Sequence, residues 1–569
     1  MDKKIIVGVI AVLSLILVIL LITDNKSDFS YVNDTGYINN QMNLNNSYEN
    51  NDWDILGTED VELEEEMSYE FTEPGTYTLS GEINDTGVLV DSTGDVKLIL
   101  DNAKINSIDG PGIVILSADS VVIELKEGTT NYVSDSEEYI NEKYVGSIYS
   151  ESNLTFEGKG SLEVTGNYKD GIVSNKNLKF NGGTYNIKSI NEGIVGKDSI
   201  NVVDGNFNIE CGSNGFKSSN DEDASKGFIN IDNGKFIINS GKDGMCAETK
   251  LHINNGDISI KTSDGSDAKD SAIYKAFYGG NDYDSESSKG LNAKDNLVIK
   301  NGTISIDSKD DAIYSNNNIG ILDGKITINS GDDGIHADKD FAIDGGNIII
   351  EQSYEGIDAA SITINGGDIS ICSNDDGLNI SGGKDLSSMS GRPGQNYSTF
   401  SYGTLNINNG KVYINSLGDG LDANGNIRIN GGEIYIDGPI SNGNSAIDYD
   451  GKFDITGGLI IAVSGDEMVQ NIFSSSGYGV VMFNLDNSYN GKISLVSSSG
   501  SEIISYSPSK KYSNVAISTS SINKNEEYTL KIDGMVIETI KIGSVDSSNT
   551  NVETNSSEEN DADKKELYQ

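Results

Sequence analysis

Residues 324–346 read GKITINSGDDGIHADKDFAIDGG, and this stretch decides the fold. Three short alternating runs lie inside it: Ile326 with Ile328, Ile335 with Ala337, and Phe341 with Ile343. Alternation at period two marks a strand with one buried face. Gly, Asn and Asp separate the runs, and these residues suit tight turns. The same pattern recurs outward in both directions. Anchoring glycines stand at Gly302, Gly324, Gly346 and Gly367, then at Gly410 and Gly432, with spacings of 22, 22, 21, 43 and 22. The spacing of 43 is one unit of normal length carrying an insertion of about 21 residues, since loops take up insertions where repeats do not. Upstream, Gly183, Gly205, Gly234 and Gly256 follow at 22, 29 and 22.

Three strands and three turns in 22 residues make one coil. One coil cannot bury its own apolar face, so neighbouring coils must stack on it. The expected fold is therefore all-β: a right-handed parallel β-helix with about 22 residues per three-strand coil. About 14 coils give a body of roughly 65 Å. Traced backwards, the pattern starts near Val88, and FTEPGTYTLSG before it reads as an N-terminal cap. Insertions are expected at Asn131–Gly146, Ala268–Lys289 and Gly383–Tyr402. After Gly458 the period decays. Tyr478–Phe483, Lys492–Val496, Val515–Ile517 and Tyr528–Ile532 read as antiparallel strands of a small C-terminal β cap or domain.

The remaining segments complete the organisation. Residues 5–22, IIVGVIAVLSLILVILLI, follow Lys3 and Lys4. Such a run is long enough to cross a bilayer with its basic flank inside. It is read as a membrane anchor, or as a signal segment if cleaved, placing the rest outside the cell. The limits are then residues 1–23 for that segment, 24–54 for a polar linker, 55–458 for the β-helix, 459–545 for the cap, and 546–569 for a disordered acidic tail.

Composition excludes several functions. Lys and Arg number 40 against 88 Asp and Glu, a net charge of −48. Nothing basic is present to neutralise phosphates, so nucleic acid is excluded as a partner. Two histidines, His252 and His336, cannot build a His-rich zinc site. The three cysteines sit in different repeats and are no disulfide framework.

Stacked carboxylates are the candidate chemistry. Aligned on the DDG-like turn, the acid before the small residue is Asp311, Asp333, Glu355, Asp376 and Asp419 in successive coils. One position earlier stand Asp310, Asp332 and Asp375, and two after the small residue come Tyr314, His336, Asp358, Asn379, Asp422 and Asp448. Carboxylates about 5 Å apart repel unless they keep protons or hold a cation. Calcium, which takes six to eight oxygens, is the expected ion. The candidate ligands are Asp310, Asp311, Asp332, Asp333, Glu355, Asp358, Asp375, Asp376, Asp419 and Asp422. Tyr413 and Tyr435, 22 apart on outward positions, read either as a strip for sugar rings or as an ordinary surface ladder; with Arg428 they are the candidate carbohydrate-binding residues. Paired acids can also serve glycosidic-bond hydrolysis, and a Lys or Arg base beside calcium can serve lyase chemistry. No such base is recognisable among Arg392, Arg428 and Lys411.

GSIYSESNLTFEGKGSLEVTG from Gly146, KDGIVSNKNLKFNGG, GDDGIHADKD and NDDGLNISGG carry a resemblance. They resemble the bacterial carbohydrate-binding-domain family of extracellular calcium-binding parallel β-helices, similar in fold to pectate lyases. The resemblance spans roughly residues 55–535 and includes SYSPSKKYSNVAISTSSINKNEEYTLKIDG near the C-terminus. It implies binding of plant cell-wall or similar polysaccharide, with calcium at turn acids such as Asp332, Asp333, Asp375 and Asp376. It does not imply lyase activity. The expected protein is a monomeric, calcium-dependent polysaccharide binder. A lyase or hydrolase of the same fold, and an adhesin or stalk binding protein, are the alternatives. The net charge opposes an acidic glycan unless calcium bridges the two anions.

Overall fold

The computed structural model describes residues 58–139, 141–266, 287–381, 403–440 and 443–542. The expected anchor, the polar linker, most of the second insertion, the third insertion and the acidic tail lie outside the described residues. Among the described residues the chain is all-β, with no helix.

The deciding stretch forms the strands Lys325–Ser330 and Ile335–Ile343. Lys325–Ser330 pairs in parallel with Thr303–Ser308 on one side and Asn347–Gln352 on the other. The register matches Thr303, Lys325 and Asn347, so each strand meets its counterpart one repeat away. Ile335–Ile343 carries the other two runs and pairs in parallel with Ile313–Ser315, Asn318–Ile321 and Ile357–Ile364. Pairing in this register stacks apolar side chain on apolar side chain. Ile326, Ile328, Ile335, Phe341 and Ile343 are all fully buried. Further towards the N-terminus the interior turns aromatic: Phe207 stacks between Tyr185 at 4.9 Å and Phe236 at 5.0 Å.

The anchoring glycine has a backbone reason. Gly324 has φ of 118°, in a region L side chains rarely adopt, and a Cβ there would lie 3.0 Å from the Gly302 carbonyl oxygen. Gly302 and Gly346, one repeat to either side, also have positive φ.

The parallel pairing begins earlier than the sequence suggests. Thr58–Leu63 already pairs in parallel with Gly75–Ile83, and Tyr69–Phe71 with Val88–Asp91. The segment expected as a cap before Val88 is thus part of the stack; shorter turns had hidden its period. Asn131, expected to open an insertion, lies within the strand Thr130–Ser134, and its side chain is buried.

At the other end Leu459–Ser464 pairs in parallel with Glu433–Asp437 and antiparallel with Tyr512–Ser518. Val480–Tyr489 continues that antiparallel sheet. A second, antiparallel sheet follows the order Glu502–Tyr506, Ile493–Ser497, Glu527–Ile532, Met535–Lys541. Leu495, Tyr528 and Leu530 form a separate core with Ile461 and Val463. The edge of the last parallel coil is therefore covered by strands of the same chain, which removes a template for aggregation.

Candidate functional site

The acid column is a hydrogen-bonded ladder. Asp311, Asp333, Asp376 and Asp419 sit just before the small residue of their turns and accept the backbone N–H of the same position one coil on. Asp311 takes the Asp333 N–H at 3.1 Å, and Asp333 takes the Glu355 N–H at 3.1 Å. Asp376 takes the Asp419 N–H at 2.6 Å, and Asp419 takes the Ser445 N–H. The ladder reaches further down than the spacing of the acids in the sequence suggests. Asp170 accepts from Glu192 at 3.0 Å, Glu192 from Asn214 at 2.7 Å, and Asp243 from Lys289 at 2.9 Å. One carboxylate oxygen is thus structural, because it satisfies a turn N–H that strand pairing leaves over.

The second oxygen faces the outward residue of the next coil. Those outward residues form their own column, in which Lys217, Cys246, Asn292, Tyr314, His336, Asp358, Asn379, Asp422 and Asp448 are paired in register. Where this column offers a donor, the charge is answered. Lys217 Nζ lies 2.8 Å from Glu192, Asn292 Nδ2 donates to Asp243 at 2.8 Å, and Asn379 Nδ2 donates to Glu355 at 2.7 Å. Lys289 answers from within the acid column itself, 3.0 Å from Asp310 and 2.6 Å from Asp311. His336 stands among Asp333, Asp338 and Asp358 at 3.2–3.3 Å.

Two positions are answered by another acid. Asp376 meets Asp422, and Asp419 meets Asp448. Burial pushes the Asp422 carboxyl up to about 7, with Asp419, Asp448 and Asp450 adding repulsion. Burial also lifts Asp419 to about 6 and holds Asp376 well above the usual carboxylate range. Single oxygens of Asp376, Asp419 and Asp422 lie within 4.8 Å of one another. No Lys, Arg or His among the described residues pairs with these three. The neighbouring Asn379 Oδ1 is buried without a hydrogen-bond partner. An all-oxygen donor set with an orphaned amide oxygen beside it fits a hard cation such as calcium. Asp376 and Asp422 are half-buried, so solvent reaches this end of the ladder.

The other expected ligands separate by partner. Single oxygens of Asp310, Asp311 and Asp332 lie within 4.8 Å of one another, and the first two residues hold the Lys289 ammonium. Burial holds Glu355 and Asp375 above the usual range, with the nearby Tyr354 hydroxyl opposing the shift at Asp375. Tyr413 and Tyr435 do not form a free strip. The Tyr413 hydroxyl donates to Asp437 at 3.1 Å, and the Tyr435 ring stacks on Tyr506 at 5.3 Å. The returning C-terminal chain covers them, and the repeat pattern cannot signal a contact of that range. Arg428 is exposed, paired in register between Asn406 and Asp454. Sequence reasoning missed Asp170, Glu192, Asp243 and Lys289, because Asn214, Lys289 itself and uneven spacings interrupt the column there. The three cysteines are free thiols.

An all-β stack of parallel strands with a ladder of carboxylates on one corner defines the class of protein. Residues 65–334 match the model of a family described as carbohydrate-binding domain-containing protein. A carbohydrate-binding domain-containing protein of Acetivibrio thermocellus is 37% identical over 131 residues, 22% of this chain and 46% of its own length. The chain thus spans less than half the length of that curated relative. A polysaccharide lyase-like protein from C. thermocellum, solved as a gadolinium derivative, is 33% identical, with a TM-score of 0.34 over 36% of this chain and 82% of that one.

Proposed function

We propose that the protein is a calcium-dependent polysaccharide-binding protein built on a right-handed parallel β-helix. The observation that carries the binding reading is the match of residues 65–334, well over half of the parallel stack, to a family described as carbohydrate-binding. The calcium reading is supported by the two acid-against-acid positions, Asp376 with Asp422 and Asp419 with Asp448. An ion there neutralises the stacked charge and keeps coordination positions open toward solvent. Those positions suit sugar hydroxyls or uronate oxygens, which are hard ligands. With a net charge of −48, an acidic glycan is held only through such an ion. The apolar run 5–22 anchors the chain at the outer face of a bacterial membrane, or directs its secretion if removed. The body from residue 55 to 458 and the cap to residue 545 act as a monomer.

The test is retention of the purified protein on a panel of glycans, from polygalacturonate to cellulose, in calcium and in chelator. Retention is expected, and for the acidic glycans only with calcium. Release of shortened or unsaturated sugars would replace binding with catalysis. Intact protein that is retained by no glycan in either buffer would overturn the proposal.

A further inference from the structure

The cluster around His336 differs in kind from the all-oxygen groups. His336 Nδ1 lies 3.2 Å from Asp333 Oδ2 and 3.2 Å from Asp358 Oδ2. Zinc-class ions hold His nitrogen and carboxylate oxygen at about 2.0–2.2 Å, which sets neighbouring ligands roughly 3.0–3.5 Å apart. His336 Nδ1 has that spacing to both carboxylates, and single ligand atoms of Asp333, His336 and Asp358 lie within 4.8 Å of one another. His336 Nε2 lies 3.3 Å from Asp338 Oδ1. A carboxylate on the far nitrogen fixes the ring and the tautomer, as in carboxylate–histidine–metal arrangements. Tyr314 stacks on the imidazole at 5.3 Å and holds its plane.

An independent observation points to a missing ligand. Asp358 is 4% exposed, and its Oδ1 has no hydrogen-bond partner. A buried carboxylate oxygen without a partner is costly. Asp333 divides its oxygens: Oδ1 accepts the Glu355 N–H in the ladder, while Oδ2 faces the imidazole. Asp333 and Asp358 are each 4% exposed and His336 is fully buried, so the site is closed. Calcium takes oxygen ligands and gains little from an imidazole, whereas zinc-class ions favour it.

The geometry points to a structural site for a divalent transition-metal ion of the zinc class, held by His336 Nδ1 and the carboxylates of Asp333 and Asp358, with Asp338 orienting the ring. The ion replaces a proton on Nδ1, which leaves to solvent, and the Asp358 carboxylate, whose Oδ1 has no hydrogen-bond partner, gains a ligand bond. This site is separate from the calcium group at Asp376, Asp419 and Asp422, and it does not depend on polysaccharide binding.

The full chain, produced with cobalt or zinc in the medium and dialysed, is expected to retain one equivalent of that metal against excess calcium. Cobalt should give visible absorption bands and shift the ring signals of His336 but not those of His252, the other histidine. His336→Asn places in this coil the residue that Asn379 and Asn292 supply at the same column position, so the fold accepts it. This variant should lose the equivalent while keeping calcium binding. Asp338→Asn should weaken affinity about 10–100-fold. Retention by His336→Asn equal to that of the parent, displacement by calcium, unshifted His336 signals, or no metal retained after production in cobalt would each overturn the site.

Discussion

Asp376 and Asp422 face each other across adjacent coils with a carboxylate oxygen of each within 4.8 Å of the other, although each is a carboxylic acid. Two buried carboxyls this close are tolerated only when one keeps its proton, and burial lifts both to allow it. A cation at this place removes the need for the proton. Asp422→Asn therefore has opposite effects in two buffers. In chelator it should raise the melting temperature, because the amide donates to Asp376 as Asn379 donates to Glu355. In calcium it should abolish most of the calcium-induced shift. At calcium 100 times above Kd that shift corresponds to about 2.7 kcal/mol in the parent. Thermal melts of parent and variant in both buffers decide it, and a parent that melts identically in both has no calcium site here.

The lower end of the ladder gives a pH prediction free of metal. Burial pushes the Asp170 carboxyl up to about 6, against hydrogen bonds from the Glu192 N–H and the Asn191 amide. In the unfolded chain the same group titrates near 3.9. Between these values the unfolded chain has lost the proton and the folded chain still holds it, so stability falls as pH rises from about 4 to about 6. Above that window the loss is complete and constant. Asp170→Asn removes the titration and keeps the acceptor, as Asn214 does two coils on by accepting the Asp243 N–H at 3.1 Å. The variant should match the parent at pH 4 and exceed it at pH 8 by on the order of 2 kcal/mol. Urea unfolding across that range measures the difference; a gap independent of pH would show that Asp170 titrates normally.

The fold was legible because the same period acts at every level. Ile326 and Ile328 lie over Ile304 and Ile306, and Gly324 over Gly302, so a period of 22 in the sequence is a stack in space. The acids were legible for the same reason from Asp311 upward. Their hydrogen bonding was not, since it depends on a backbone N–H one coil away. Lys289 was missed because it interrupts the column of acids it neutralises. Tyr413 reads as outward-facing in the sequence because Ser509, which covers it, is 96 residues away and outside the repeat.

Backbone geometry makes the anchoring glycines sensitive. Gly324→Ala must hold φ near 118° and bring a methyl group 3.0 Å from the Gly302 carbonyl oxygen. The expected cost is about 1–3 kcal/mol. Gly320 is the control: a Cβ there meets nothing within 4 Å, and its φ is not positive. Gly320→Ala should therefore be near neutral. Denaturant midpoints of the two variants test the contrast, and equal midpoints would remove the backbone argument for the 22-residue anchor.

The cap is fastened through one buried acid. Asp437 is fully buried at the end of the strand Glu433–Asp437. It accepts from the Tyr506 hydroxyl at 2.7 Å, the Ser509 N–H at 2.7 Å, the Ser509 hydroxyl at 2.6 Å and the Tyr413 hydroxyl at 3.1 Å. Lys510 adds an ammonium that donates to the carbonyls of Ser416, Asp437 and Gly438, and burial lowers its pKa. These bonds add to the strands Leu459–Ser464, Val480–Tyr489 and Tyr512–Ser518, whose alternate side chains enter both cores. Asp437→Ala leaves several buried donors without an acceptor, each costing about 1–3 kcal/mol. The loss should stay local. Amide exchange should quicken in residues 506–512, with protease cleavage after Lys510 or Lys511, while Lys325–Ser330 in the middle of the stack stays protected. Exchange that quickened equally in both places would instead make the cap and the stack one cooperative unit, with Asp437 bracing the whole rather than latching one end.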